Sequence, residues 1–163
     1  VAAMAASRRN IDYILKNMFP MIISFDKLNQ VRHIRFLKDM DGLAAHMEKH
    51  RALLEPKFRA VLAILDEGLS GCGSIARWTK PNGGYFLSLY TLGGCAKRTV
   101  QLCREAGVVL TDAGAAYPYG VDPQDSNIRI APTFPPMDEL ETASRLLCVC
   151  VRIATLEKLL QRQ

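Results

Sequence analysis

A long helical pattern that begins at Leu43 constrains this chain more than any other feature of its sequence. Apolar side chains recur there at spacings that place them on one face of a helix: Leu43, Met47, Leu54, Phe58, Val61, Leu62 and Leu65. Glycines from Gly68 to Gly73 end the pattern. Pro56 falls inside it, and because proline lacks a backbone N–H and clashes with the preceding turn, we expect a kink or break there. A kinked helix of about 25 residues is typical of elements that connect two domains.

The rest of the chain alternates between helical and extended patterns. A helix over Ser7–Met18, with Ser7 as its N-cap, precedes the long helix and ends before Pro20. After the glycines, the patterns predict strands over Ile75–Thr79 and Tyr85–Tyr90, a helix over Gly94–Ala106, a short strand over Val108–Thr111, a loop over Asp112–Ser126, a strand over Asn127–Pro132, and a last helix from Met137 to about Leu160.

This order of elements predicts an α/β fold of the α+β kind, with a small sheet covered by helices, over residues 43–163. Residues 1–42 contain too little patterned structure to form a domain alone. Their stretch from Met21 to Gly42 mixes apolar residues with dense polar groups, which is typical of a segment at an interface or a site.

Composition excludes several classes of function. The net charge is +5, but the basic residues are scattered and no exposed aromatics interleave with them, so nucleic-acid binding is not expected. No apolar run approaches the roughly 18 residues that a membrane span needs. The five cysteines and three histidines do not complete a metal-binding set. Cys148 and Cys150 are predicted to be reduced core residues of a cytoplasmic protein.

Arg129 raises a question of function. It lies in the alternating stretch Asn127–Ala131, where Ile128 and Ile130 are predicted to face one side of a strand and Arg129 the other. A permanently charged guanidinium in this position is either an edge residue in a surface ion pair or a fixed clamp for an anion. The alternation alone favours the surface ion pair over the clamp.

Four motifs resemble a known family when they are taken in sequence. They are FDKLNQVRHIRF (Phe25–Phe36), HMEKHRALLEPKF (His46–Phe58), WTKPNGGYFLSL (Trp78–Leu89) and SNIRIAPTFP (Ser126–Pro135). Together they resemble the C-terminal small domain of pyridoxal-phosphate aminotransferases of the aspartate aminotransferase fold. Within that fold they look like the MocR-type branch, which includes bacterial aspartate aminotransferases.

The resemblance implies roles for three residues. Arg129 matches the family's arginine that binds the α-carboxylate of the amino-acid substrate. Arg32, with Asn29 as a polar neighbour, matches a segment that lies at the dimer interface and reaches the partner subunit's active site. Arg32 is therefore expected either to contact the distal carboxylate of a dicarboxylic substrate or to form an ion pair across the interface. Tyr85 and Phe86 are interpreted as packing and turn residues.

The resemblance also implies a cofactor and partners. They are pyridoxal 5'-phosphate, amino-acid and 2-oxo-acid substrates (with aspartate or glutamate expected), and a second subunit in a homodimer. No lysine here has the context of the family's Schiff-base lysine, which would lie just before Val1. We therefore expect the C-terminal part of an aminotransferase that contains no catalytic residue and is inactive alone. The alternatives are a non-catalytic carboxylate-binding regulatory module and, less favoured, a basic nucleic-acid-binding domain.

Overall fold

A computed structural model describes residues 4–22 and 25–161 of the chain. Helices and strands in these ranges are α1 Arg8–Met18, α2 Lys27–Leu37, α3 Met40–Leu69, β1 Ala76–Trp78, β2 Leu87–Thr91, α4 Ala96–Glu105, β3 Asn127–Ile130 and α5 Met137–Leu160. Single 3₁₀ turns lie at Phe19–Met21 and Pro118–Gly120. The mixed α/β architecture with one small sheet is confirmed.

The chain divides into two compact units, Val1–Arg51 and Ala52–Gln163. In the first unit, local capping defines the helices. The Ser7 hydroxyl accepts from the backbone N–H of Asn10 at the start of α1, and Asp26 accepts from Asn29 at the start of α2. None of the described side chains in α1 or α2 is buried.

A tight corner separates α2 from α3. Asp39 Oδ1 accepts from the backbone N–H of Gly42 at 2.8 Å and so caps the first turn of α3. A Cβ at position 42 would lie 1.9 Å from the carbonyl oxygen of Leu37, so this corner requires glycine. The corner explains why α3 begins at Met40, slightly before the predicted Leu43.

Helix α3 continues through Pro56 as one element, so the chain does not break there. Its buried residues all lie in its C-terminal half: Val61, Ile64, Leu65 and Leu69. Burial of this face holds the C-terminal half in place although proline removes one backbone hydrogen bond, because tertiary packing supplies most of a helix's stability.

The second unit contains a three-stranded antiparallel sheet in the order β1-β2-β3. Its register places Leu87 opposite Ile130, Ser88 opposite Arg129 and Leu89 opposite Ile128. The leucine and isoleucine side chains of these pairs face the core and are almost fully buried. The alternation predicted for residues 127–130 is therefore confirmed, and Arg129 lies on the opposite face of the sheet from the core.

The predicted strand over Val108–Thr111 is wrong. The segment follows α4 after Gly107 but belongs to no strand of the described sheet. Val108 and Leu110 pack against the core, whereas Val109 is 79% exposed. Alternating burial therefore arises here from packing alone, without the backbone ladder that defines a strand.

The core of the second unit lies between the sheet, the C-terminal half of α3, α4 and α5. Cys103, Cys148 and Cys150 are buried within it, which confirms the core position predicted for the last two. Burial raises the pKa of the Cys103 thiol to about 12 and that of Cys148 to about 11. Both side chains are therefore protonated thiols at neutral pH and behave as small apolar residues.

Candidate functional site

Arg129 lies on β3, an outer strand of the described sheet, and is held in a fixed direction by pairing with the central strand β2. Its neighbours Ile128 and Ile130 are anchored in the core, at 0% and 6% exposure. Ser88, opposite Arg129, is itself held by Thr79: the Ser88 N–H donates to Thr79 Oγ1 at 2.9 Å, and the Thr79 N–H donates to the Ser88 carbonyl at 3.0 Å. A strand with this support positions a side chain more accurately than a loop does.

The guanidinium of Arg129 stacks on an aromatic ring and lacks an anionic partner. Its Cζ lies 4.7 Å from the centroid of the Phe86 ring, a cation–π arrangement. Its Nε is buried and donates no hydrogen bond within the described chain. No carboxylate of the described residues forms a salt bridge with it.

This arrangement indicates a site for an anion. A buried donor without an acceptor costs about 1–3 kcal/mol, and more when the group is charged, so native structures rarely leave one unpaired. A carboxylate would supply the missing acceptor, taking one hydrogen bond from Nε and a parallel one from an Nη nitrogen. The Phe86 ring lies against one face of the guanidinium, so a carboxylate would pair with the edge that carries Nε and Nη.

Asp122 fixes the start of β3 and so supports the site. Its carboxylate accepts hydrogen bonds from the backbone N–H groups of Gln124, Ser126 and Asn127 at 3.0, 2.7 and 2.8 Å, and from the Ser126 hydroxyl at 3.3 Å. Burial acts to raise the pKa of Asp122, but these donors outweigh it and lower the pKa below its usual value. The carboxylate is therefore ionised at neutral pH, and it holds the chain just before Arg129.

Asp125 ties the same loop to α4. Its carbonyl oxygen accepts hydrogen bonds from the backbone N–H groups of Gly94, Cys95 and Ala96. Its carboxylate accepts one from the backbone N–H of Lys97 at 3.0 Å. These N–H groups lie at the N-terminus of α4, so a residue far along the chain caps this helix. The loop over 112–126 is thus closed by hydrogen bonds at the end that leads into β3.

Lys57 holds the turn on the other side of β3. Its Nζ donates to the carbonyl oxygens of Thr133 and Pro135 at 2.9 and 2.6 Å. Helix α3 is thereby joined to the turn that follows the Arg129 strand. Both ends of β3 are fixed by contacts distant in sequence.

Arg129 also borders a cleft of about 560 Å³ between residues 107–111, the end of β3 and the first turns of α5. Asp138 and Glu139 border the same cleft. Two carboxylates oppose the binding of an anion there, so the sheet face over Phe86 is the better candidate for a carboxylate site.

Arg32 and Asn29 lie on α2 in the first unit. Arg32 is exposed and lines a shallow groove of about 410 Å³ with Leu28, Val31, Arg35 and Phe36. The described structure contains no salt bridge to Arg32. Asn29 is half-buried, and its carbonyl oxygen lies 2.8 Å from His33 Nδ1. Their predicted roles toward a distal carboxylate stay predictions.

Comparison with known proteins decides the family. The family model described as aspartate amino-transferase matches residues 1–163. The chain belongs to the aspartate aminotransferase family. A candidate aminotransferase of Mycolicibacterium smegmatis is 48% identical over 160 residues, which cover 98% of this chain and 37% of that protein.

Solved structures of aminotransferases agree. The crystal structure of an aspartate transaminase from Corynebacterium glutamicum matches with a TM-score of 0.84 at 43% identity, covering 93% of this chain and 36% of the other. The α-aminoadipate aminotransferase of Thermus thermophilus, in complex with N-(5'-phosphopyridoxyl)-L-leucine, matches with a TM-score of 0.70 at 18% identity, which shows the fold alone. The chain thus spans just over a third of the length of these aminotransferases.

The family implies pyridoxal phosphate as its cofactor. The described lysines do not fit the role of its covalent anchor. Lys57 is engaged by two carbonyl oxygens and Lys80 by Asp66, and the other lysines lie on helices or at the α2–α3 corner, exposed or, for Lys158, half-buried.

Metal-binding groups of three or more ligands and membrane-spanning helices are not found in the ranges that the structure describes. Within residues 4–22 and 25–161, no group of three or more His, Cys, Asp or Glu side chains is placed to hold a metal ion. No helix in these ranges is long and apolar enough to cross a membrane.

Several residues that support Arg129 were not predicted from the sequence. Phe86, predicted to be a packing residue, packs against the guanidinium of Arg129. Asp122 and Lys57 were given no role. Asp122 does have a signal in the sequence: it precedes a proline and lies a few residues before the Ser and Asn at the start of β3. An aspartate in such a loop often accepts hydrogen bonds from the backbone N–H groups that follow it. Nothing in the sequence near Lys57 indicates its distant carbonyl partners.

Proposed function

We propose that this chain is the C-terminal part of a pyridoxal-phosphate aminotransferase of the MocR-type branch, which transfers an amino group between aspartate or glutamate and a 2-oxo acid. In this proposal, residues 43–163 form the small domain and residues 1–42 belong to the large cofactor domain and its interface. The Schiff-base lysine lies upstream, so the chain alone is inactive. The whole enzyme is a cytoplasmic homodimer.

The single observation that carries the proposal is the state of Arg129. Its guanidinium is half-buried, stacked on Phe86, and leaves Nε without an acceptor in the described chain. Amino acids and 2-oxo acids share an α-carboxylate, whose two oxygens match the planar fork of an arginine. When bound, pyridoxal phosphate supplies the electron sink for the reaction. Arg129 binds the carboxylate and thereby orients the α-carbon of the substrate.

The dicarboxylic specificity rests on Arg32. Its exposed guanidinium on α2 is available for a distal carboxylate, and Asn29 is the polar residue three positions before it. In the alternative, the same Arg32 guanidinium forms an ion pair across the interface between subunits. The two roles differ in their effect on substrates, because a distal-carboxylate contact discriminates between dicarboxylic and neutral amino acids.

Substitution of Arg129 in the full-length enzyme tests the proposal. Arg129→Lys keeps the charge but loses the bidentate pairing, and we expect a cost of about 3 kcal/mol, roughly a hundredfold in kcat/KM. The loss should be similar for every amino-acid substrate, since all carry the α-carboxylate. Arg32→Ala is the matched variant, and it should reduce kcat/KM for aspartate and glutamate more than for neutral amino acids. A kcat/KM within about threefold of the unaltered enzyme after Arg129→Lys would contradict the clamp.

A carboxylate-binding module without catalysis is the second candidate. It is favoured by the absence of a suitable Schiff-base lysine among the described residues. The two candidates differ in the gene upstream of Val1, where the enzyme requires a Ser-x-Ser-Lys type motif. They do not differ for the chain itself, which should form no internal aldimine. Addition of pyridoxal phosphate followed by borohydride reduction should label no lysine stoichiometrically.

A further inference from the structure

Two histidines on the exposed first half of α3 are placed one helical turn apart. The Nε2 atoms of His46 and His50 lie 3.1 Å from each other, and their rings are nearly perpendicular, with centroids 4.6 Å apart. The Phe36 ring packs against His46 edge to face, with centroids 5.1 Å apart. We propose that His46 and His50 form a chelating site for a divalent transition-metal ion such as Zn²⁺ or Ni²⁺. This proposal is independent of the carboxylate site.

The distance between the two nitrogens suits one metal ion. Imidazole nitrogens bind Zn²⁺ at about 2.0–2.1 Å, so two of them on a tetrahedral ion are separated by about 3.3 Å. The observed 3.1 Å is close to this value. Spacing of i and i+4 on a helix places both rings on one face.

The chemistry of the pair is that of neutral nitrogen ligands. Imidazole suits Zn²⁺, Ni²⁺ and Cu²⁺, whereas Mg²⁺ and Ca²⁺ prefer oxygen. Without metal, one Nε2–H donates to the other Nε2. On binding, that proton is replaced by the metal and the ring takes the tautomer protonated on Nδ1, exchanging its proton with water. No electron transfer is involved.

The surroundings leave the pair accessible. His50 is exposed and His46 half-buried. Between them on the helix, Glu48 pairs with Arg51 at 2.7 and 2.9 Å, so its carboxylate neutralises the nearest guanidinium. No third His, Cys, Asp or Glu ligand completes the set among the described residues, so water fills the remaining positions. The site is bidentate, and its affinity is below that of structural zinc sites.

Bound metal should stabilise this part of α3. The helices that precede it contain no buried described side chain, so local contacts matter more here than in the core. A ligand that binds the helical form and not the unfolded form stabilises it by mass action. The His46–His50 site therefore acts as a staple across one turn of an otherwise exposed helix.

Titration calorimetry with Zn²⁺ and Ni²⁺ on the metal-free 163-residue chain tests the proposal. Cys72 is the one cysteine of the five that is not buried, so Cys72→Ser serves as the background that removes thiolate binding. We expect one ion per chain. His46→Ala and His50→Ala should each weaken binding by about tenfold or more, because loss of either ligand removes the chelate effect. His33→Ala is the matched control and should leave affinity unchanged.

Three results would overturn the proposal: no binding of either ion, affinity kept within about threefold after His46→Ala or His50→Ala, or an equal loss after His33→Ala. Binding that survives both substitutions is adventitious. Amide exchange of residues 43–54 with and without Zn²⁺ gives a second readout. Slower exchange should occur in the Cys72→Ser chain and be absent when either histidine of the pair is replaced.

Discussion

The two compact units of this chain are stabilised differently. In residues 52–161, Val61, Leu65, Leu89, Ile128 and Val151 are all fully buried in a shared core. In residues 4–51, the helices α1 and α2 have no buried described side chain, and large apolar residues are exposed there: Tyr13, Met21, Leu28, Ile34, Phe36, Met40 and Met47, each by 62% or more.

The two units differ because helix capping defines local structure in the first, whereas burial in a core stabilises the second. Ser7, Asp26 and Asp39 cap the helices of the first unit, so these helices are defined by contacts within a few residues. Most helical stability in proteins comes from tertiary packing. The second unit has a buried core, whereas no described side chain of α1 or α2 is buried. The exposed apolar residues of the first unit agree with the interface role that we propose for residues 1–42.

Amide hydrogen exchange should show the largest difference between the units. In the monomeric chain, amides in the core strands and in the C-terminal half of α3 should exchange only on global unfolding. Those of α1 and α2 should exchange by local opening, on the order of a thousandfold faster. Sedimentation at the same concentration establishes the monomer. Uniformly high protection of residues 1–42 in a monomer would contradict the comparison.

Core truncation should give the next largest effect. Leu65→Ala removes a fully buried side chain and should lower the free energy of unfolding by about 3 kcal/mol. Leu28→Ala is the matched control, because Leu28 is 74% exposed, and it should change the free energy by less than about 0.5 kcal/mol. Urea denaturation measures both. Equal losses in the two variants would show that the units do not differ as described.

Removal of the Asp122 carboxylate should have a smaller, pH-dependent effect. Asp122→Ala leaves three backbone N–H groups without their acceptor and should cost about 1–2 kcal/mol at pH 7, with partial compensation by water. The pKa of Asp122 is lowered in the folded state, so its contribution is complete above the unfolded pKa of about 3.9 and is lost as the pH falls through the folded value.

Urea denaturation at pH 7 and in acid measures this loss. The difference between the unaltered chain and Asp122→Ala should be full at pH 7 and should shrink in acid, as the carboxylate of the unaltered chain is protonated. An equal difference at both pH values would mean that the ionised carboxylate does not hold the loop.

Periodicity predicted the elements that bury a regular face. Helix α5 has the predicted bounds, and β3 lies where Ile128 and Ile130 alternate with polar residues. Periodicity failed for Val108–Thr111 because an alternating pattern does not reveal whether a partner strand is present. Periodicity also could not show that α3 stays continuous through Pro56, because that continuity depends on the burial of side chains after the proline.

The site was predictable only in part. Arg129 followed from its place in a strand together with the family resemblance, since the pattern alone favours a surface ion pair. Its stacking on Phe86 depends on the register between β2 and β3, and the carbonyl partners of Lys57 lie more than 70 residues away. Such contacts are set by the assembled fold and have no local signature.

The central claim, that Arg129 is an open clamp for a carboxylate, is tested most directly by nuclear magnetic resonance of arginine Nε–H groups. The 163-residue chain is titrated with 2-oxoglutarate, and with sodium chloride at matched ionic strength. Arg77, which stacks on Tyr90 at 3.9 Å and has no proposed ligand, is the internal control. We expect the Arg129 Nε–H signal to shift downfield and to saturate with 2-oxoglutarate while the Arg77 signal follows the salt control. No shift at Arg129, or parallel shifts at both arginines, would contradict it.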